Sequence, residues 1–231
     1  MNSNPQNATA VKKYGLALHT ASRELGLAIS NFDGDSRCQT WYLDRDLATH
    51  LHQYLIDFIQ PQTWADLAFI AVAKGPGGFT GTRIGMVAAR TLAQQLDIPI
   101  FAISTLAAFA WAQLPQSRAG TAPPLQSGGL LRDDIALQMP AQRGQLFGAI
   151  YSVNKNSGLT ELFPDTVMTP ESWQEKLDNW KNSYQLIEVG SELGSSVSSV
   201  LELAYLEWQK GSRPDWSDAL PYYGQHPVKG K

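Results

Sequence analysis

The stretch from Leu67 to Gly85 reads LAFIAVAKGPGGFTGTRIG and constrains the fold more than any other part of the chain. Its first seven residues are all apolar, as a strand covered on both faces requires. A glycine-rich turn follows directly. Beyond it, Ile84, Val87, Ala88 and Leu92 recur at helical spacing and predict a helix from about Thr82 to Leu96. A buried strand that passes through glycines into a helix belongs to an α/β architecture. Glycines there permit positive φ and close backbone approach, Thr80 or Thr82 can cap the helix, and the outward amides can receive an anion. The candidate loop residues are therefore Gly75, Gly77, Gly78 and Thr80. The pattern is not a Walker motif, since no Gly-Lys-Ser/Thr follows at the required spacing, and Thr80 stands where a dinucleotide fingerprint needs its third glycine. Spacing alone leaves a second reading open, in which the glycines serve only the packing of strand on helix.

The flanking sequence supplies the rest of an α/β lobe. Tyr14 to Ser30 reads as an antiparallel hairpin and Cys38 to Leu43 as a third strand. Leu47, Leu51, Tyr54, Leu55, Phe58 and Ile59 lie at helical spacing ahead of Pro61, which predicts an amphipathic helix from about Asp46. IPIFAIS is a further buried strand and STLAAFAWAQL a further helix. Between Pro115 and Arg132 the composition turns to Pro, Gly and Ser, which marks a linker or mobile loop between a lobe over 13–114 and a smaller one over 133–221. The second lobe opens with two strands around a turn at Gln142 to Gly144. Next come a helix with Thr169 as cap and Pro170 at its first position, the strand YQLIEVG, and a helix from Ser195 to Gln209. Residues 1–12 are polar and predict disorder, and 222–231 form a surface tail.

Composition removes several function classes. Cys38 is the sole cysteine, so neither an intramolecular disulfide nor a thiolate metal site can form. A formal net charge of -3 provides no basic field for holding nucleic acid by phosphate neutralisation. No stretch is long and apolar enough to span a bilayer or to act as a secretion signal, and the expectation is a cytoplasmic protein. Ser104, Ser172, Ser195 and Ser196 read as helix caps or surface hydroxyls without a recognisable base. His50 and His52 are two apart on a helix and diverge.

The run GPGGFTGTRIG, followed by IPIFAISTLAAFA and later by AQRGQLF, resembles the TsaB (YeaZ) family of the actin-like ATPase superfold, over Tyr14 to Tyr151 and more faintly in the tail LPYYGQHP. That resemblance implies two lobes with mixed sheets flanked by helices, the second lobe reduced. It further implies a non-catalytic subunit of the machinery that makes threonylcarbamoyladenosine on tRNA. The chemistry would belong to a TsaD-type relative, a TsaE-type ATPase would assist, and tRNA would be reached only through the complex. No cofactor is then required, and the glycine loop leaves room for weak nucleotide binding. The departures point the same way. Where the superfold places a metal-organising Asp at the end of its first strand, this chain has His19, a poor substitute in a hard-oxygen magnesium site. On general grounds His19 is expected to be a hydrogen-bonded residue at a strand end. Thr105 and Phe109 fall where the catalytic relative has its paired metal histidines, and Pro140 and Gln142 where Asp and Arg are usual.

The resemblance also implies the functional surface: the helices from about Asp46 to Ile59 and from Thr82 to Leu96 are similar to the family elements that bundle with the partner, or with a second copy of the chain when the partner is missing. Leu51, Tyr54, Leu55 and Phe58 on one helix and Met86, Ala89 and Ala93 on the other are its candidate contacts. The alternative is an active ATP-dependent phosphotransferase of the same superfold.

Overall fold

The computed structural model describes residues 13–113, 134–154, 158–222 and 224 of the 231-residue chain. The segments read above as 1–12 and 115–132, and most of the tail, lie outside the described residues.

β1 (Tyr14–His19), β2 (Glu24–Ser30) and β3 (Ser36–Tyr42) form an antiparallel meander. α1 (Leu47–Ile59) leads to β4 (Leu67–Ala73), which lies parallel to β1, and α2 (Phe79–Leu96) leads to β5 (Ile100–Ile103), parallel to β4. The resulting five-stranded sheet has the order β3-β2-β1-β4-β5. After α3 (Thr105–Ala112) a second sheet repeats the scheme. β6 (Asp134–Pro140), β7 (Leu146–Asn154) and β8 (Gly158–Met168) form the meander, α4 (Pro170–Asp178) is the crossover, and β9 (Tyr184–Glu188) lies parallel to β6, in the order β8-β7-β6-β9. α5 (Val197–Gln209) follows.

Side-chain size explains how these elements stack. Successive residues of a strand face opposite sides, so the rows Leu16–Ile29–Ile70 and Leu18–Leu27–Val72, aligned across β1, β2 and β4, put large aliphatic groups against α1 and α2. The alternate row, Ala17 beside Ala28 and Ala71, faces the other way. Alanines there let α5 approach closely, and Val197, Val200, Leu201 and Ala204 fill the space. α3 is apolar all round because it lies between the sheets, with Ala108 toward the first and Leu106, Ala110 and Trp111 toward the second. The layers are thus α1 and α2, first sheet, α3 and α5, second sheet, α4. Trp173 and Leu177 of α4 cover the far face of the second sheet over Ala136 and Ile150.

One helix start and one strand differ from the sequence reading in ways that bear on the site and the second lobe. α2 begins at Phe79, not Thr82, because Gly78 takes the extended conformation that ends the turn. β8 was not expected. It is an edge strand carrying Pro164, most of it is only partly covered, and its pairing with β7 shifts register around Ile150, so neither alternation nor a continuous apolar run announces it.

Candidate functional site

The glycine loop leaves the first sheet at the end of β4 and enters α2 beside the turn that joins β1 to β2. It is seated on that turn. The Gly78 amide donates to the Ala21 carbonyl at 2.7 Å, and the Thr20 hydroxyl donates to the Gly81 carbonyl at 2.9 Å. A Cβ at Gly77 would stand 2.2 Å from the Ala21 carbonyl oxygen, one at Gly81 would stand 2.2 Å from that of Thr20, and one at Gly85 would stand 2.0 Å from the Thr20 hydroxyl. All are far inside van der Waals contact, so these glycines are required by the close approach of the chain's own backbone. Gly75, at φ +97°, is held by its carbonyl, which accepts the Thr105 amide at 2.9 Å.

The caps expected of the threonines are not made. Gly78 occupies the N-cap with no side-chain bond, Thr80 is exposed in the first turn, and Thr82 is buried with its hydroxyl unpartnered among the described residues. Ser104 does cap α3, accepting the Ala107 amide at 3.1 Å.

His19 departs from its expected hydrogen bonding. It is wholly buried and neither ring nitrogen has a partner among the described residues. Burial alone holds its pKa down at about 4, so the ring is neutral at physiological pH. Thr105 opens α3 and Phe109 packs into the second core. Among the described residues no group of three or more His, Cys, Asp or Glu side chains could hold a metal ion.

Between the lobes lies a cleft of about 1070 Å³. One wall is the β1–β2 turn with Gly77 to Gly81, and the other is the β6–β7 turn. That second turn has the two-residue geometry that matches strand twist, with Arg143 at φ +58° and Gly144 at φ +71°. Arg23, Arg45 and Arg143 line the cleft, although Asp44 stands 3.8 Å from Arg23 and offsets part of its charge. A second polar group lies where the lobes meet and was not legible in the sequence. The Tyr151 hydroxyl donates to the Asp165 carboxylate at 2.8 Å and lies 3.4 Å from the Ser104 hydroxyl. Burial raises the pKa of both Tyr151 and Asp165.

The helix pair proposed as a contact surface needs correction. Leu51, Leu55, Phe58, Met86, Ala89 and Ala93 are buried in the chain's own core, and Tyr54 is half-buried, its ring 4.7 Å from that of Trp41. The helices lie on a sheet whose aliphatic row absorbs that stripe. Their outward faces carry His52, Ile56, Val87 and Thr91, with Ile56 50% and Val87 63% exposed.

The arrangement of two repeated 3-2-1-4 sheets about a cleft defines the actin-like ATPase fold, and it matches solved structures. YeaZ from Pseudomonas aeruginosa superposes with a TM-score of 0.70 at 20% identity, covering 91% of this chain and 100% of that one. Among relatives by sequence, the "tRNA threonylcarbamoyladenosine biosynthesis protein TsaB" of Buchnera aphidicola subsp. Schizaphis graminum is 52% identical over 163 residues, 69% of this chain and 68% of the relative. The protein of the same name from Bacillus subtilis is 35% identical over 167 residues; the match takes in 70% of this chain but 65% of the relative, just under two thirds of its length. A family model described as "TsaD: tRNA N6-adenosine threonylcarbamoyltransferase" matches residues 58–129. The chain belongs to the TsaB (YeaZ) family.

Proposed function

We propose that this chain is the non-catalytic subunit of the apparatus that makes threonylcarbamoyladenosine on tRNA, pairing with a TsaD-type transferase, assisted by a TsaE-type ATPase, and reaching tRNA only through that complex. The observation that carries the reading is the seating of the glycine loop. Gly77, Gly81 and Gly85 are filled by Thr20 and Ala21, and the Gly78 amide is already taken, so the loop braces the fold where an active relative would cradle phosphate. His19 supports it, since a buried imidazole supplies none of the oxygen ligands that a magnesium ion requires. No cofactor is needed for such a role. The partner surface is the outward face of α1 and α2, around Ile56 and Val87; the same face would close a homodimer.

Reconstitution tests this directly. Modification of tRNA by the TsaD-type subunit is expected to depend on this chain, and Ile56→Asp with Val87→Lys is expected to abolish the complex, seen by light scattering, without lowering the melting temperature. Full modification without the chain would overturn the role, and an unchanged complex would overturn the surface. A second reading, an ATP-dependent phosphotransferase, draws on the three cleft arginines. Calorimetry with ATP and magnesium separates the two, since tight binding with turnover by the isolated chain favours the phosphotransferase.

A further inference from the structure

The tail motif LPYYGQHP is a sequence feature that the proposed function leaves unused. Its Tyr222 lies across the join of the two lobes. The Tyr222 amide donates at 2.7 Å to the carbonyl of Lys74, where the glycine loop begins, and the Tyr222 hydroxyl donates at 2.5 Å to the carbonyl of Asp165 on β8. The Tyr222 carbonyl presses on the loop as well, for a Cβ at Gly75 would lie 2.5 Å from its oxygen. On the other side its ring meets Phe147 of β7 edge-on, with centroids 6.3 Å apart. Gly224 rests on the same ring, leaving no space for a Cβ, which would come within 2.4 Å of it. Below, Tyr151 links Asp165 to Ser104, the cap of α3.

One residue thus ties the two lobes together, its amide at Lys74 just ahead of the loop whose Gly77 and Gly78 line the cleft, its hydroxyl at Asp165 on β8, and its ring against Phe147, which lines the opposite wall. We propose that Tyr222 is a strap, a positioning residue that fixes the glycine loop relative to the β6–β7 turn and so sets the width of the cleft. A lobe rotation that opens the cleft must break either the bond to Lys74 or the bond to Asp165, because the intervening atoms belong to a single residue with few free torsions. The strap acts whatever the cleft holds, so it does not depend on the proposed function.

Distance measurement between the walls is the test. Spin labels are attached to Ala48→Cys and Gln142→Cys in a Cys38→Ser background and read by double electron–electron resonance, with the melting temperature of each variant recorded alongside. The intact strap gives one narrow distance distribution. Tyr222→Ala broadens it and moves it to longer distance, while Tyr222→Phe, which keeps ring and amide but loses the bond to Asp165, falls between. A Tyr222→Ala distribution that matches the parent overturns the proposal. So does broadening in Tyr222→Ala that accompanies partial unfolding at the measuring temperature while Tyr222→Phe matches the parent.

Discussion

The two lobes follow one strand order, yet they are covered differently. Sheet β3-β2-β1-β4-β5 has α1 and α2 on its outer face and α5 on its inner one, so β1 and β4 are buried on both sides. Sheet β8-β7-β6-β9 has α4 outside and shares α3 inside, and its strands β8 and β9 stay partly exposed. The helix that follows β9, the counterpart of α2, crosses back to serve the first sheet. Repetition of a topology therefore need not repeat its core: among the described residues the second sheet has four strands to the first sheet's five, and the helix after its last strand packs on the other lobe.

The largest expected effect attacks the better-covered lobe. Leu51→Asp sets an unpaired carboxylate among β1, β2 and α2 and should destabilise by about 5 kcal/mol, enough to unfold the chain in a urea titration; Leu51 is 0% exposed. Trp173→Ala empties the outer core of the second lobe, where Trp173 is 1% exposed. A cost of about 4 kcal/mol is expected, and hydrogen exchange should show β6 and β7 losing protection before β1 and β4 if the thinner lobe is the weaker one. A third effect is set by pH. The folded chain leaves His19 unprotonated down to about pH 4, whereas the unfolded chain takes up that proton near pH 6.5. The unfolded state therefore binds more protons in this window, and stability should fall as pH falls from about 6.5 to 4, by about 3 kcal/mol in total. Asp165 works in the opposite sense, because its raised pKa favours the folded state on acidification. Denaturation curves of the parent and His19→Leu across this range isolate the first contribution, and parallel curves would show that His19 does not carry it. The smallest pair compares a buried glycine of α2 with a glycine of the β6–β7 turn. Gly85→Ala must push Thr20 aside and should cost about 2 kcal/mol, while Gly144→Ala meets no neighbour and carries only the strain of its positive φ, about 1 kcal/mol.

The sequence revealed the first lobe more fully than the second for the same reason of coverage. A strand buried on both faces writes itself as an unbroken run such as LAFIAVA, and a two-residue turn writes itself as Arg143-Gly144, so both were read at the right place. β8, half-covered and interrupted by Pro164, left no such mark. The stripe of Leu51, Leu55, Phe58, Met86, Ala89 and Ala93 was legible as apolar, but a stripe does not say what covers it, and the aliphatic row of the sheet proved to be the answer. The position of the candidate loop was likewise plain, while its occupant was not. Thr20 and Ala21 stand more than fifty residues upstream, and only the parallel pairing of β1 with β4 brings them to Gly77 and Gly81.

The crossing of α5 has a practical outcome for anyone wishing to dissect the molecule. Cutting between the strand sets would strip Val197, Val200, Leu201 and Ala204 from the alanine row of Ala17, Ala28 and Ala71, leaving a flat apolar sheet open to water. Neither fragment would then be an autonomous unit, and the severed front portion would be prone to self-association.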